Sequence, residues 1–143
     1  MPIFAFRAVQ FVQRCSNWQQ AVRLACKPLE EQCLVSQEYA EAIIAETEES
    51  GPWYILTSGF AMPHARPEQG VLSQETHLSL LRIRDNVLFE GHDAVGLLIV
   101  LAAGNGSDHL AKIQQLTQWL DEENRLEELL ATDNETALLH AIH

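Results

Sequence analysis

The sequence predicts an α/β fold, a mixed central sheet sandwiched by helices, and three observations lead there. Residues 95–103 form an almost wholly apolar run, the pattern of a strand covered on both faces. Three segments carry apolar residues at three- and four-residue spacing behind a capping residue, as amphipathic helices do. Strand-like and helix-like stretches interleave along the chain, which calls for helices packed on a sheet.

Each element follows from local chemistry. Residues 5–12 alternate polar and apolar side chains as a strand does. Ser16-Asn17 then caps a helix from Trp18, whose apolar side gathers Trp18, Val22 and Ala25. Pro28 lacks the amide that an unbroken helix needs, so a kink or restart is expected there. Ser36 opens a second helix, with Tyr39, Ile43 and Ile44 inward and Glu46, Glu48 and Glu49 in solvent, and Ser50-Gly51-Pro52 ends it. Residues 53–57 read as a strand, followed by a loop over residues 59–67. Residues 77–84 read as another strand, with Ser79, Leu81 and Ile83 on one face. Gly106 breaks the apolar strand 95–103, and Ser107 or Asp108 can cap the helix that follows. Two acidic, leucine-bearing helical stretches close the chain, over residues 121–131 and 134–142. With no internal repeat, linker or low-complexity segment, one domain over residues 1–143 is expected.

Composition narrows the function. A hydrophobic fraction of 47% supports a folded globule. No apolar run approaches the ~20 residues that span a bilayer, and Met1-Pro2-Ile3-Phe4-Ala5-Phe6-Arg7 makes a poor signal peptide. A soluble cytoplasmic protein is expected. Cys15, Cys26 and Cys33 form no CxxC pair, which argues against a disulfide framework or a zinc knuckle. The net charge of −11 speaks against nucleic acid, because no basic stripe is present to neutralise phosphates. That acidity fits protein partners with basic docking faces, and equally a charge kept for solubility.

The stretch Gly59-Phe60-Ala61-Met62-Pro63-His64-Ala65-Arg66-Pro67 sets a histidine between a rigid proline and an arginine. Pro63 has a fixed φ and pushes Met62 toward an extended conformation, so the imidazole is presented from a firm loop. Arg66 offers a bidentate fork to an anion. A histidine beside a proline is also a common turn residue, and Phe60 and Met62 fit core filling as well as an apolar rim with Ala65 for a docking protein.

A second histidine, His109, shares one helix face with Ile113, Leu116 and Leu120. It falls in the first turn, where free amides and the positive dipole end gather around anions and keep an imidazole neutral. A core histidine bonded to a backbone carbonyl fits that segment as well. Zinc or nickel held by His64, His109 and His77 or His92 is a rival reading, but no HxxxH or HxH spacing supports it. His77, His92, His140 and His143 read as surface or strand-end residues. No metal and no cofactor is expected.

The run from Gly59 to Arg66, with its Ala-Met-Pro-His centre, resembles the phosphorylation motif of mannitol/fructose-type enzyme IIA components of the bacterial phosphoenolpyruvate-dependent sugar phosphotransferase system. The segment His109-Leu110-Ala111-Lys112-Ile113-Gln114-Gln115-Leu116 is similar to that family's second active-site histidine and its helix. Gly51-Pro52-Trp53-Tyr54-Ile55-Leu56 and His64-Ala65-Arg66-Pro67-Glu68 look like the ascorbate-type or cryptic mannitol-type variants.

The resemblance implies that the strands before His64 and His109 are neighbours, so that both histidines emerge at one sheet edge. It implies a phosphotransferase in which His64 takes a phosphoryl group from the carrier HPr and passes it to a cysteine of an enzyme IIB partner. The sugar permease at the membrane is then engaged indirectly. It further gives His109, Ser107 and Arg66 a share in stabilising the phosphoryl group. A regulatory protein that keeps the phosphorylated histidine without serving transport fits the same motif. Mannitol-type members carry an arginine at the end of the helix before the active strand. Here that region reads Glu46-Thr47-Glu48-Glu49-Ser50, and Arg66 is the expected stand-in.

Overall fold

A computed structural model describes residues 6–89, 91–104 and 106–142, with residues 106–109 described in their backbone alone. Among these, five strands form one mixed sheet: β1 (Phe6–Val12), β2 (Ile55–Thr57), β3 (Gly59–Ala61), β4 (Thr76–Leu88) and β5 (Ala94–Ala103). Their order is β1-β4-β5-β3-β2. β5 pairs antiparallel with β4 and parallel with β3, while β1 runs parallel to β4 and β2 antiparallel to β3.

Two helices cover one face, α1 (Trp18–Glu31) and α2 (Gln37–Ser50), and three cover the other, α3 (Gly106–Asp121), α4 (Arg125–Leu130) and α5 (Glu135–Ile142). Alternate side chains of a strand point to opposite faces. Leu81, Ile83, Leu98, Val100 and Ala102 therefore join Val22, Leu29 and Ile43 in one core. Leu80, Leu97, Ile99 and Leu101 join Leu116, Leu129 and Leu138 in the other. Each leucine, isoleucine or valine among them contributes roughly 1.5–3 kcal/mol on leaving water. The sheet is thus held from both sides, as the unbroken apolar pattern of residues 95–103 leads one to expect.

Local differences from the sequence reading have physical causes. α1 is one continuous helix with Pro28 inside it, so the helix does not restart there. A proline there leaves the Leu24 carbonyl without its intrahelical donor. Gln10 Nε2, on neighbouring β1, donates to that oxygen at 3.0 Å and supplies the missing hydrogen bond.

Trp53 and Tyr54 form a turn, and the strand starts at Ile55. The chain doubles back at Ser58-Gly59, where Gly59 takes φ +84°, a conformation strained for other residues. Gly59–Ala61, read as loop, is therefore the inner strand of a short hairpin. The stretch 121–131 is split: α3 runs to Asp121, and left-handed Glu123 and Asn124 separate it from α4. Ala5, the expected start of the first strand, lies outside the described residues. No described helix is long and apolar enough to cross a membrane.

Asn17 Oδ1 accepts from the Gln20 amide at 2.8 Å and caps α1. Asn17→Ala is expected to lower stability by about 0.5–2 kcal/mol, read as a lower denaturant midpoint. An unchanged midpoint would remove the cap from the account.

Candidate functional site

His64 leaves the end of β3 on a loop that is tied down on each side. The Met62 amide donates to the Tyr54 carbonyl at 2.9 Å, and the Leu101 amide to the Pro63 carbonyl at 3.3 Å. The Ala65 amide donates to Tyr39 Oη at 3.1 Å. That hydroxyl in turn donates to the Leu101 carbonyl at 2.6 Å, with the Ala65 carbonyl at 3.3 Å as a weaker acceptor. Tyr39 comes from α2 and is fully buried, so one phenol joins α2, β5 and the histidine loop. Burial, foremost, pushes this phenol above its ordinary range and keeps it protonated as a donor.

The imidazole is half-buried, with Nδ1 2.8 Å from the Met62 carbonyl. A carbonyl can only accept, so Nδ1 holds a proton, and in the neutral ring the lone pair is on Nε2. The residue that presents the ring therefore also sets its tautomer. The Trp53 indole meets the ring edge-on, at 4.6 Å between centroids and 85° between planes.

The second histidine segment arrives at the same edge. β3 and β5 are parallel neighbours, with Ala61 opposite Leu98, so both strands end on one side of the sheet. α3 begins directly after β5, and the backbone of His109 lies in its first turn. The backbone of residues 73–74 passes so close to the β5–α3 connection that a Cβ on Gly104 would stand 2.0 Å from the Ser73 carbonyl oxygen. Gly104 thereby lets two backbones meet at the entry to the helix. The side chains of Ser107 and His109 lie outside the described residues.

Arg66 is largely exposed, and its guanidinium lies 4.0 Å from the Glu46 carboxylate. Its amide donates to Gln69 Oε1 at 3.0 Å. Such a long, solvated pair holds the side chain loosely.

The apolar rim expected from Phe60, Met62 and Ala65 is not there. These residues are 2%, 1% and 5% exposed, because β3 is an inner strand covered on both faces. Phe60 and Met62 fill the core beneath α3–α5, and Ala65 packs into the one beneath α1 and α2. Exposed apolar side chains at this edge include Trp53 (50%), in the turn before β2, and Leu110 (62%), in the opening turns of α3. Sequence reasoning missed both: Trp53 passed for a strand residue, while Leu110 falls off the apolar stripe of its helix. That second signal was available.

The remaining histidines are dispersed. His92 and His140 are exposed, and His143 lies outside the described residues. His77 is buried at the start of β4, a strand-end residue but not a surface one. Arg7 Nε donates to its Nδ1 at 3.2 Å, which leaves Nε2 to donate to Ser73 Oγ at 2.9 Å. Both nitrogens are thus engaged. Among the described residues, no three His, Cys, Asp or Glu side chains gather as a metal site would require.

The chain is similar to known proteins over nearly its whole length. The family model described as the phosphoenolpyruvate-dependent sugar phosphotransferase system, EIIA 2, matches residues 3–143. The mannitol-specific cryptic phosphotransferase enzyme IIA component of Escherichia coli (strain K12) is 37% identical over 140 residues, 97% of this chain and 94% of that protein. The ascorbate-specific enzyme IIA component of the same strain is 30% identical over 139 residues, 95% of this chain and 89% of that protein. The solution structure of the Escherichia coli cryptic mannitol-specific enzyme IIA matches with a TM-score of 0.86 at 36% identity, covering 97% of this chain and 94% of that one. A complex of the Escherichia coli mannitol enzyme IIA with phosphorylated enzyme IIB matches with a TM-score of 0.73 at 25% identity, covering 93% of this chain and 92% of that one.

Two outcomes test the packing around the site. Tyr39→Phe leaves the Ala65 amide and the Leu101 carbonyl without their partner and is expected to cost about 1–3 kcal/mol per orphaned group. Amide exchange at Ala65 should rise with it; unaltered exchange would remove Tyr39 as the brace. His77 sits below the ordinary histidine range because burial, and then the Arg7 charge, disfavour its protonated form, against a smaller opposing pull from Glu75. The unfolded chain then takes up this proton first, so the stability is present above about pH 6.5 and is lost as pH falls toward the lower folded value. The stability difference between wild type and His77→Gln is therefore expected to shrink on acidification below pH 6.5. A difference independent of pH would contradict the assignment.

Proposed function

The chain belongs to the enzyme IIA type 2 family of the phosphoenolpyruvate-dependent sugar phosphotransferase system, and from that premise we propose that His64 carries a transient phosphoryl group. It takes the group from the phosphohistidine of HPr and hands it to a cysteine of an enzyme IIB partner. The observation that supports this most is the Nδ1–Met62 carbonyl bond, which reserves the Nε2 lone pair for attack.

In the forward step Nε2 attacks the donor phosphorus and forms a P–N bond. The donor's P–N bond breaks, and its electron pair returns to the donor imidazole. The His64 ring, bearing phosphorus on Nε2 and a proton on Nδ1, is then cationic, and the Met62 carbonyl stabilises that charge by accepting the proton's hydrogen bond. A cysteine thiolate on enzyme IIB next attacks phosphorus, and the P–N electrons return to Nε2. No electron is gained or lost overall.

The transition state spreads negative charge over the phosphoryl oxygens, so the protein's task is positioning and electrostatics. The amides and positive dipole end of α3 face the edge where β3 and β5 finish. His109 and Ser107, in the first turn of that helix, supply donors to the phosphoryl oxygens. Arg66 exchanges its loose contact with Glu46 for the incoming dianion and covers the place of the family arginine that is missing here.

Trp53 and Leu110 replace the buried trio as the apolar docking contacts, and acidic Glu48 and Glu49 at the exposed end of α2 favour partners with basic faces. One enzyme IIA unit over residues 1–143 serves a cytoplasmic relay to a sugar permease. The two relatives are named for mannitol and ascorbate, and a hexitol or ascorbate is the cargo proposed for this system.

Incubation with phosphoenolpyruvate, enzyme I and HPr is expected to give an acid- and hydroxylamine-labile phosphate that vanishes in His64→Ala and chases onto a cysteine of enzyme IIB. His109→Ala and Arg66→Ala are expected to slow transfer while the fold is kept. Undiminished labelling of His64→Ala would overturn the carrier reading, and wild-type rates in the other two would remove their roles.

A further inference from the structure

We propose that Trp53 is a positioning residue for the phosphorylated imidazole, an inference that rests on the carrier reading of His64. A histidine χ2 torsion is broad and roughly two-fold, so the torsion itself does not define the ring plane. The Nδ1–Met62 carbonyl bond fixes one point of the ring, and one point does not define a plane. The Trp53 indole, 4.6 Å away and nearly perpendicular at 85°, supplies the second point. Edge-to-face packing of this kind is directional, which simple apolar cover is not. Both contacts bear on the ring plane and so on the direction in which Nε2 aims at an incoming phosphorus.

Trp53 is built to hold that position despite being half in water. Its amide donates to the Gly51 carbonyl at 2.9 Å. Its ring lies edge-on to Tyr54, 5.5 Å between centroids, and Tyr54 is itself buried against Phe89. Tyr54 Oη pairs with Thr47 Oγ1 at 2.7 Å, which ties the turn to the last part of α2. Burial raises the Tyr54 phenol to about 12, so this hydroxyl keeps its proton throughout the physiological range.

Both constraints on the imidazole come from one hairpin. Tyr54 is the residue whose carbonyl receives the Met62 amide, and Ile55 pairs with Ala61. The indole and the Met62 carbonyl are therefore held by the same hairpin and the turn that leads into it. This coupling explains why a large indole stands exposed beside a half-buried histidine, where a polar turn residue would be cheaper to solvate.

A donor without a protein surface separates positioning from docking. The probe is phosphoramidate, a small molecule that phosphorylates histidine directly. Trp53→Ala is expected to slow labelling of His64 by phosphoramidate about two- to tenfold, the rate equivalent of one edge-to-face ring pair. Trp53→Phe, which keeps an aromatic edge, should stay within about twofold of wild type. In the unphosphorylated protein, the imidazole 15N shifts of Trp53→Ala should move from those of a pure Nδ1–H ring toward those of a freely exchanging one.

Equal phosphoramidate rates and unmoved 15N shifts in all three proteins would overturn the proposal, even if transfer from HPr fell, because that result assigns Trp53 to docking. Wild-type protein that takes no phosphate on His64 from either donor would instead overturn the carrier reading. The 15N shifts still decide the role of Trp53 in that case.

Discussion

A single hydrogen bond, from the ring of His64 to the carbonyl two residues before it, is the constraint around which this edge of the molecule is organised. It selects one of two tautomers of the neutral ring and so leaves the lone pair on Nε2, the property that the proposed carrier role requires. The carbonyl can do this because the peptide that bears it cannot turn. Its own amide is committed to Tyr54, the next residue is proline, and the one beyond His64 is held by Tyr39. The sheet is built from two-sided apolar burial, and the site is built from the few polar groups that burial obliges to find partners.

The same logic runs through the interior. Tyr39, Gln10 and Arg82 each place a side-chain donor where backbone oxygens need one. Tyr39 serves the loop and β5, and Gln10 serves the carbonyl freed by Pro28. Arg82, buried on β4, donates to the carbonyls of Ile83, Gly96 and Leu130 and to Thr132 Oγ1, fastening the end of α4 to the sheet. Arg82 lies opposite Leu97 in the register, whereas the His64 loop lies beside Leu101, so this guanidinium belongs to the frame and not to the site. The family's missing arginine is not supplied from there. Arg66, on the surface and next to Glu46, remains the cation within the histidine motif itself.

Much of this was legible in the residues. The unbroken apolar run 95–103 gave away the central strand, since such a run is tolerable in water only when both faces are covered. The Pro63-His64 pair announced a rigid presentation, and the glycines and polar caps marked where helices begin. What stayed hidden depends on contacts far apart in sequence. Pro28 looked like a helix breaker because the donor that rescues it, Gln10, sits on another element. Phe60 and Met62 fitted core filling and a docking rim equally, and Ala65 a rim, because β3 was read as loop. Three residues are too few to show periodicity, and the turn at Gly59 hides among ordinary loop signals. Trp53 seemed to be a strand residue, and its contact with His64 appears only once the hairpin has folded back.

The most direct measurement is the 15N–31P coupling in phosphorylated protein labelled with 15N-histidine. The account predicts a P–N coupling to Nε2 of His64, with Nδ1 still protonated and hydrogen-bonded. Phosphorus coupled to Nδ1 of that ring, or to a nitrogen of any other residue, would contradict it.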